Sequence, residues 1–309
     1  MRNVVSGISD GRPAGLIIAL LLTFTWTSCD GGDEAGSGDL SQVESDAEPV
    51  DEWPRADLSV ESGGDGAMFD TGGTSGTFDM TGTWAEWEIG ASITQAPLLG
   101  ETRTQGVALM RWVVTQQGEK LSISQELCHL KLVSDTELAT TVVPDLFIAS
   151  VPLMEKTGTV TVKDTTHHFA LDLTPELYGV ALASPLDEPL PTTADDPRVI
   201  DQDGDGHPGM TVFITGVLDG AAYIVQRNLR SLEGAFVSTD RIEGLVNWTQ
   251  DQNIIGSDNK ILASNHPTSV TDPDPLKSPF IAIRIPEDKD CAWLRAHEQE
   301  LFPVVKPGR

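Results

Sequence analysis

Nine residues carry the sharpest chemical pattern in this 309-residue chain: Asp201-Gln202-Asp203-Gly204-Asp205-Gly206-His207-Pro208-Gly209. Three carboxylates stand at alternate positions, which aims them at one centre, and Gly206 allows a sharp turn after the third. A hard cation such as Ca²⁺ takes about six to eight oxygens, and three clustered negative charges repel one another unless a cation neutralises them. Asp195 and Asp196 lie just upstream and, with the backbone carbonyl of His207, could complete the shell. The candidate calcium site is therefore Asp201, Asp203, Asp205 and His207 with Asp195 and Asp196. The competing reading is an acidic surface turn, since Asp and Gly form turns in any case.

The loop resembles the first half of an EF-hand-type or thrombospondin-type calcium loop. It departs from the EF-hand at the twelfth position, where Val212 stands instead of a bidentate Glu. A strand pattern follows it instead of a helix. Calcium here is expected to fix the connection 186–210 ahead of a hairpin.

Cysteine supplies the second chemistry. Arg2 and Arg12 precede an apolar run, Ala14 to Phe24, that ends at Thr27-Ser28-Cys29. Positive residues, an apolar core and small residues at the cut define an export signal, too short to span a bilayer. The segment resembles a bacterial lipoprotein signal whose last residue, Cys29, takes the lipid; Trp26 departs from the aliphatic residue usual there. That resemblance implies multiple acylation and a stable anchor. Ordinary cleavage with release is the alternative. Cys128 and Cys291 then remain as an even pair, which an oxidising compartment favours joining.

Other constellations are weaker. Glu86 and Glu88 alternate along one strand face and could act as paired carboxylates, although a solvated face accounts for them more simply. Trp84, Trp87 and Trp112 could line a ligand pocket. Thr81-Gly82-Thr83-Trp84 resembles the Gly-x-Trp opening of lipocalins and avidins, in which a Trp closes the barrel base. His167 and His168 are adjacent in a strand and point to opposite faces. His297 lies on the last helix near Glu298 and Glu300, on an expected solvated face. No His-Glu-x-x-His, Cys-x-x-Cys or phosphate-binding Gly loop is present, so no catalytic residue is assigned.

The elements that position these residues follow from periodicity and composition. The net charge is −27, and residues 30–80 hold 14 acidic groups against Arg55. That stretch has too little apolar surface to fold and reads as a self-repelling tether. Net acidity throughout excludes nucleic acid as a partner. From about residue 79, period-two alternation marks strands: Ala108–Thr115, Leu121–Ser124, Thr159–Val162 with His168–Leu173 as a hairpin, Ile242–Trp248 with a packing or bulge Gly244, and Phe280–Ile285. Thr211–Leu218 and Ala221–Arg227 flank Asp219-Gly220 and predict a tight turn. Pro286 to Phe302 predicts a helix over 287–302.

These readings predict three segments. Residues 1–29 are a lipoprotein signal peptide, 30–78 a disordered acidic tether, and 79–309 an all-β, mostly antiparallel domain, barrel or sandwich, with one C-terminal α-helix. The expected location is the cell envelope, outside the cytoplasm and lipid-anchored, on the outer membrane. The expected function is a non-enzymatic module, stabilised by Ca²⁺, that binds a small ligand, a polysaccharide or another envelope protein. The alternatives are an envelope-polymer hydrolase using paired carboxylates and a purely structural envelope component.

Overall fold

The computed structural model describes residues 78–303 apart from 97–99, 137, 164, 218 and 264–267. The signal segment, Cys29 and the tether up to residue 77 lie outside the described residues.

The described chain is antiparallel sheet with one helix at its C-terminal end. The strands are β1 (Gly82–Ala96), β2 (Gly100–Gln117), β3 (Lys120–Ser134), β4 (Ala139–Val142), β5 (Met154–Lys163), β6 (Thr166–Tyr178), β7 (Met210–Gly216), β8 (Gly220–Ser238), β9 (Arg241–Ser257), β10 (Thr268–Thr271) and β11 (Pro279–Ile285). A short helix α1 (Asp145–Ser150) precedes β5, and α2 (Cys291–Leu301) follows β11. Hydrogen bonding runs β8-β6-β5-β3-β2-β1-β11-β9 and closes through a β8–β9 pairing. The strands of this closed ring follow one another up and down in chain order. The others are additions: β4 and β7 extend the sheet beside β8, and β10 pairs with β1.

Alternation decides which residues enter the ring. On β2, Ala108, Met110, Trp112 and Val114 are buried in the inner cluster, while Val113 on the opposite phase is 39% exposed. Trp84, Leu121, Ile123, Val160, Phe169, Leu171, Leu232, Ile242 and Phe280 fill the same interior. On β3 the pairing slips between Leu109 and Met110, leaving Cys128 as an extra residue. That bulge puts Leu127 and Leu130, three apart, on the same inner cluster. Gly244 faces Gly234 across β8 and β9; a Cβ on it would lie 2.6 Å from the Phe280 ring, so the sequence expectation of close packing holds.

A second layer lies outside the ring. Ala85, Trp87, Ile89 and Leu109 bury their outward faces against Leu294 and Phe302 of the α2 region. The disulfide Cys128–Cys291, with Cα atoms 4.9 Å apart, joins α2 to β3.

Two local expectations are corrected. The helix begins at Cys291 instead of residue 287, because Asp290 is its cap: the Asp290 carboxylate accepts from Trp293 N at 2.9 Å. Residues 286–289 form a turn closed by Lys289 N donating to Pro286 O. Asp219-Gly220 does not make a tight two-residue turn. Ile214 is the last β7 residue paired with β8, opposite Gly220, and the left-handed residue is Gly216 at φ 122°. The cause is β4, which captures the end of β7 through the Ala139–Gly216 pair and a Val217 N to Leu138 O bond.

Candidate functional site

The acidic loop lies between β6 and β7. Gly204 and Gly206, at φ 68° and 89°, take left-handed conformations that side-chain-bearing residues avoid. The resulting fold brings the backbone N–H groups of Asp205 and Gly206 to the Asp201 carboxylate at 3.2 and 3.0 Å. The Asp205 carboxylate accepts from His207 N at 2.8 Å. Ligand atoms of Asp201, Asp203 and Asp205 all lie within 4.8 Å of one another. Asp201 and Asp205 are exposed, whereas Asp203 is buried at 6% exposure.

Asp203 is the distinctive member. Its Oδ2 accepts from Thr211 N at 2.9 Å, but its Oδ1 is buried and meets no donor. Burial raises its pKa, the Thr211 N–H opposes the rise, and the charges of Asp205 and Asp201 add to it. A buried carboxylate oxygen without a partner beside two more carboxylates is the donor set a hard cation would complete.

The other expected ligands are placed elsewhere. Asp196 is gripped by Arg198, whose Nε and second guanidinium nitrogen lie 2.9 and 2.7 Å from its two oxygens. That bond holds the Asp196 carboxyl down at about 2. Asp195 is exposed and, like Asp196, lies outside the three-carboxylate cluster. The His207 ring stacks on Tyr223, with centroids 4.3 Å apart. Val212 is buried in β7, so the twelfth loop position carries no carboxylate. Between the ligands, Gln202 ties the loop down: its Oε1 accepts from Gly179 N at 2.8 Å and its Nε2 donates to Ser150 O at 3.4 Å.

The three tryptophans do not share a pocket. Trp84 and Trp112 are register partners inside the ring, both fully buried, whereas Trp87 faces outward and stacks on Phe302. Trp84 donates from Nε1 to Met80 O, and the Arg284 guanidinium lies 4.5 Å above its ring. His297 is not simply solvated: its ring stacks on Trp293 at 4.2 Å.

Glu86 and Glu88 share a face, as alternation requires, but it is the inner face and not a solvated one. Both are buried, Glu86 completely. They belong to a polar layer inside the ring with Gln125, Lys156, Glu176, Tyr178 and Arg230. Lys156 Nζ lies 2.7 Å from Glu176 Oε1. Arg230 lies 2.5 Å from Glu88 and 3.3 Å from Glu176, and it donates to Gln125 Oε1 at 2.6 Å. Tyr178 donates its hydroxyl to Glu176 at 3.1 Å.

The charges in this layer set one another. Burial by itself would raise Glu176, but Arg230 and Lys156 outweigh it and hold the carboxyl low. Burial pulls the Lys156 ammonium down against the opposing pull of Glu176. Burial would also lower Arg230, yet Glu88 and then Glu176 keep it firmly protonated. Sequence reading found only the two glutamates on β1. The remaining signal was faint: Lys156 runs in phase with buried Val160, and Arg230 in phase with buried Leu232. A single charged residue in the apolar phase of one strand is uninformative until the strands are arranged around a common interior.

On the outer face, a groove of about 390 Å³ is lined by Leu173, Leu229, Ser231, Asn247, Trp248 and Thr249, with the 271–278 segment as its wall. Asp272 in that wall is paired with Lys277 at 3.3 Å. Among the described residues, no helix is long and apolar enough to cross a membrane. Comparison of the chain with protein families, with curated proteins and with solved structures finds no match.

Proposed function

We propose that this chain is an exported, lipid-anchored cell-envelope protein whose β domain is stabilised by Ca²⁺ and acts as a non-enzymatic binding module. The observation that carries the reading is the buried, donorless Oδ1 of Asp203, on a carboxylate that clusters with those of Asp201 and Asp205. Asp201, Asp203 and Asp205 would hold the ion, with the His207 carbonyl as a further donor. Through Gln202 the occupied loop would anchor the end of β6 and the end of α1. The lipid anchor rests on residues 14–29 and on Cys29. The Gly82-x-Trp84 opening, with Trp84 buried at the start of the ring, supports a likeness to lipocalin- or avidin-type binding proteins.

The ligand surface in this reading is the outer groove. Its one carboxylate is already paired with Lys277, and hydroxyl, amide and apolar groups lie together there, which suits a neutral small molecule or a polysaccharide segment. A hydrolase using Glu86 and Glu88 is less favoured, since a polymer would have to reach a carboxyl with no solvent exposure.

Calcium titration tests the reading. At one hundred times the dissociation constant, bound ion adds about 2.7 kcal/mol to unfolding free energy. For a domain of this size that is a melting rise of roughly 5–10 °C. Asp203→Asn and Asp205→Asn should abolish the rise. Melting curves that coincide in calcium and in chelator would remove the proposal's metal.

A further inference from the structure

We propose that the interior of the ring is a proton-binding site in which Glu86 and Glu88 hold one proton between them. The placement of donors carries it. The polar layer contains three carboxyl groups, Glu86, Glu88 and Glu176, and two cations, Lys156 and Arg230. Each cation is already committed: Lys156 to Glu176, and Arg230 to Glu88, Glu176 and Gln125. Tyr178 is committed to Glu176. Neither oxygen of Glu86 meets a donor, although the residue is fully buried.

Every neighbouring strand can be read for a group that might rescue Glu86. Its partners across β2 and β11 are Met110 and Ala282, which carry no charge. β3 contributes Gln125, β5 Lys156, β6 Glu176 and Tyr178, and β8 Arg230; Gln125 Nε2 and, on β2, Trp112 Nε1 are neutral buried donors, but neither is hydrogen-bonded to Glu86. Its own strand contributes Glu88, within hydrogen-bonding reach once one of the two carboxyls is protonated. A buried carboxylate with no donor is costly, whereas a neutral carboxylic acid can donate to its neighbour. With that proton in place the layer holds two negative and two positive charges. Without it a third negative charge enters the sealed interior.

Burial first, and then Glu88, push the Glu86 carboxyl well above the ordinary range, and Arg230 only partly opposes them. A raised acid of this kind contributes stability that is complete below its unfolded pKa and is lost as pH rises through its folded value. The ring is therefore favoured by acid and loosened by alkali through this one group.

The test is urea unfolding of the mature chain from pH 5 to pH 8, beside Glu86→Gln, which keeps the shape and hydrogen-bonding capacity of the neutral acid. Relative to Glu86→Gln, the folding equilibrium constant of the unaltered chain should fall by up to about tenfold per pH unit until the proton leaves. Parallel pH profiles for the two proteins would overturn the proposal. Should Glu86→Gln fail to fold, carbon-13 spectra of the side-chain carboxyls of the unaltered chain decide it. One glutamate carboxyl should keep its protonated shift after the others have finished titrating, and a set that finishes together would refute the site.

Discussion

The Cys128–Cys291 bridge offers the most direct perturbation, because its effect lies mainly in the unfolded chain. The bonded residues are separated by 163 positions. Closing so long a loop removes about 5 kcal/mol of unfolded-state entropy in the chain-entropy treatment. In the folded protein little should change when the bond is absent. Leu294 and Phe302 remain buried against Trp87 and its neighbours, and Asp290 still caps α2. The double variant Cys128→Ala/Cys291→Ala should therefore keep native circular dichroism while its melting temperature drops by roughly 10–20 °C. Its denaturant slope should rise, since an uncrosslinked chain exposes more surface on unfolding. Thermal and urea unfolding of the oxidised chain, the reduced chain and the double variant measure this directly. If mass spectrometry verifies the bond in the oxidised sample and all three midpoints still coincide, the bridge does not constrain the unfolded chain.

Other residues give sharper local tests. Arg230→Met strands Glu88 and Glu176 inside the ring and should lower unfolding free energy by about 3–5 kcal/mol, measured by urea titration; pairing it with Glu88→Gln should recover part of the loss. Gly244→Ala forces a methyl to 2.6 Å from the Phe280 ring and 2.5 Å from Gly234 Cα, so a loss of about 1–3 kcal/mol is expected from overpacking. Asp290→Ala removes the α2 cap and should cost about 1 kcal/mol, read from the same unfolding curves. Cys29→Ala should move the protein from the membrane fraction to the soluble fraction of exported material; retention in the membrane would argue against the lipid anchor.

Alternation made most strands legible before any coordinates. The inward phase of β2 at Ala108, Met110, Trp112 and Val114 reads directly from the residues, because successive side chains point to opposite faces. The same rule placed Glu86 with Glu88 but could not say whether their shared face met water or core. Residues 286–290 hold an acidic run that resembles a helix N-terminus, but the helix starts only after the cap at Asp290. The Asp219-Gly220 turn failed for a different reason: β4, contributed from far upstream, extends β7 beyond the point where a two-residue turn could close.

What the residues determined alone was local: antiparallel strands, an acidic loop with its carboxylates alternating, and an even cysteine pair in the β domain. These follow from backbone geometry and short-range chemistry, which act over a few positions. Closure of the sheet into a ring was decided only in three dimensions, by β8 pairing with both β6 and β9. That closure put Lys156, Glu176 and Arg230 beside Glu86 and Glu88. The charges on four separate strands interact strongly only because the ring removes them from water and holds them within a few ångströms of one another.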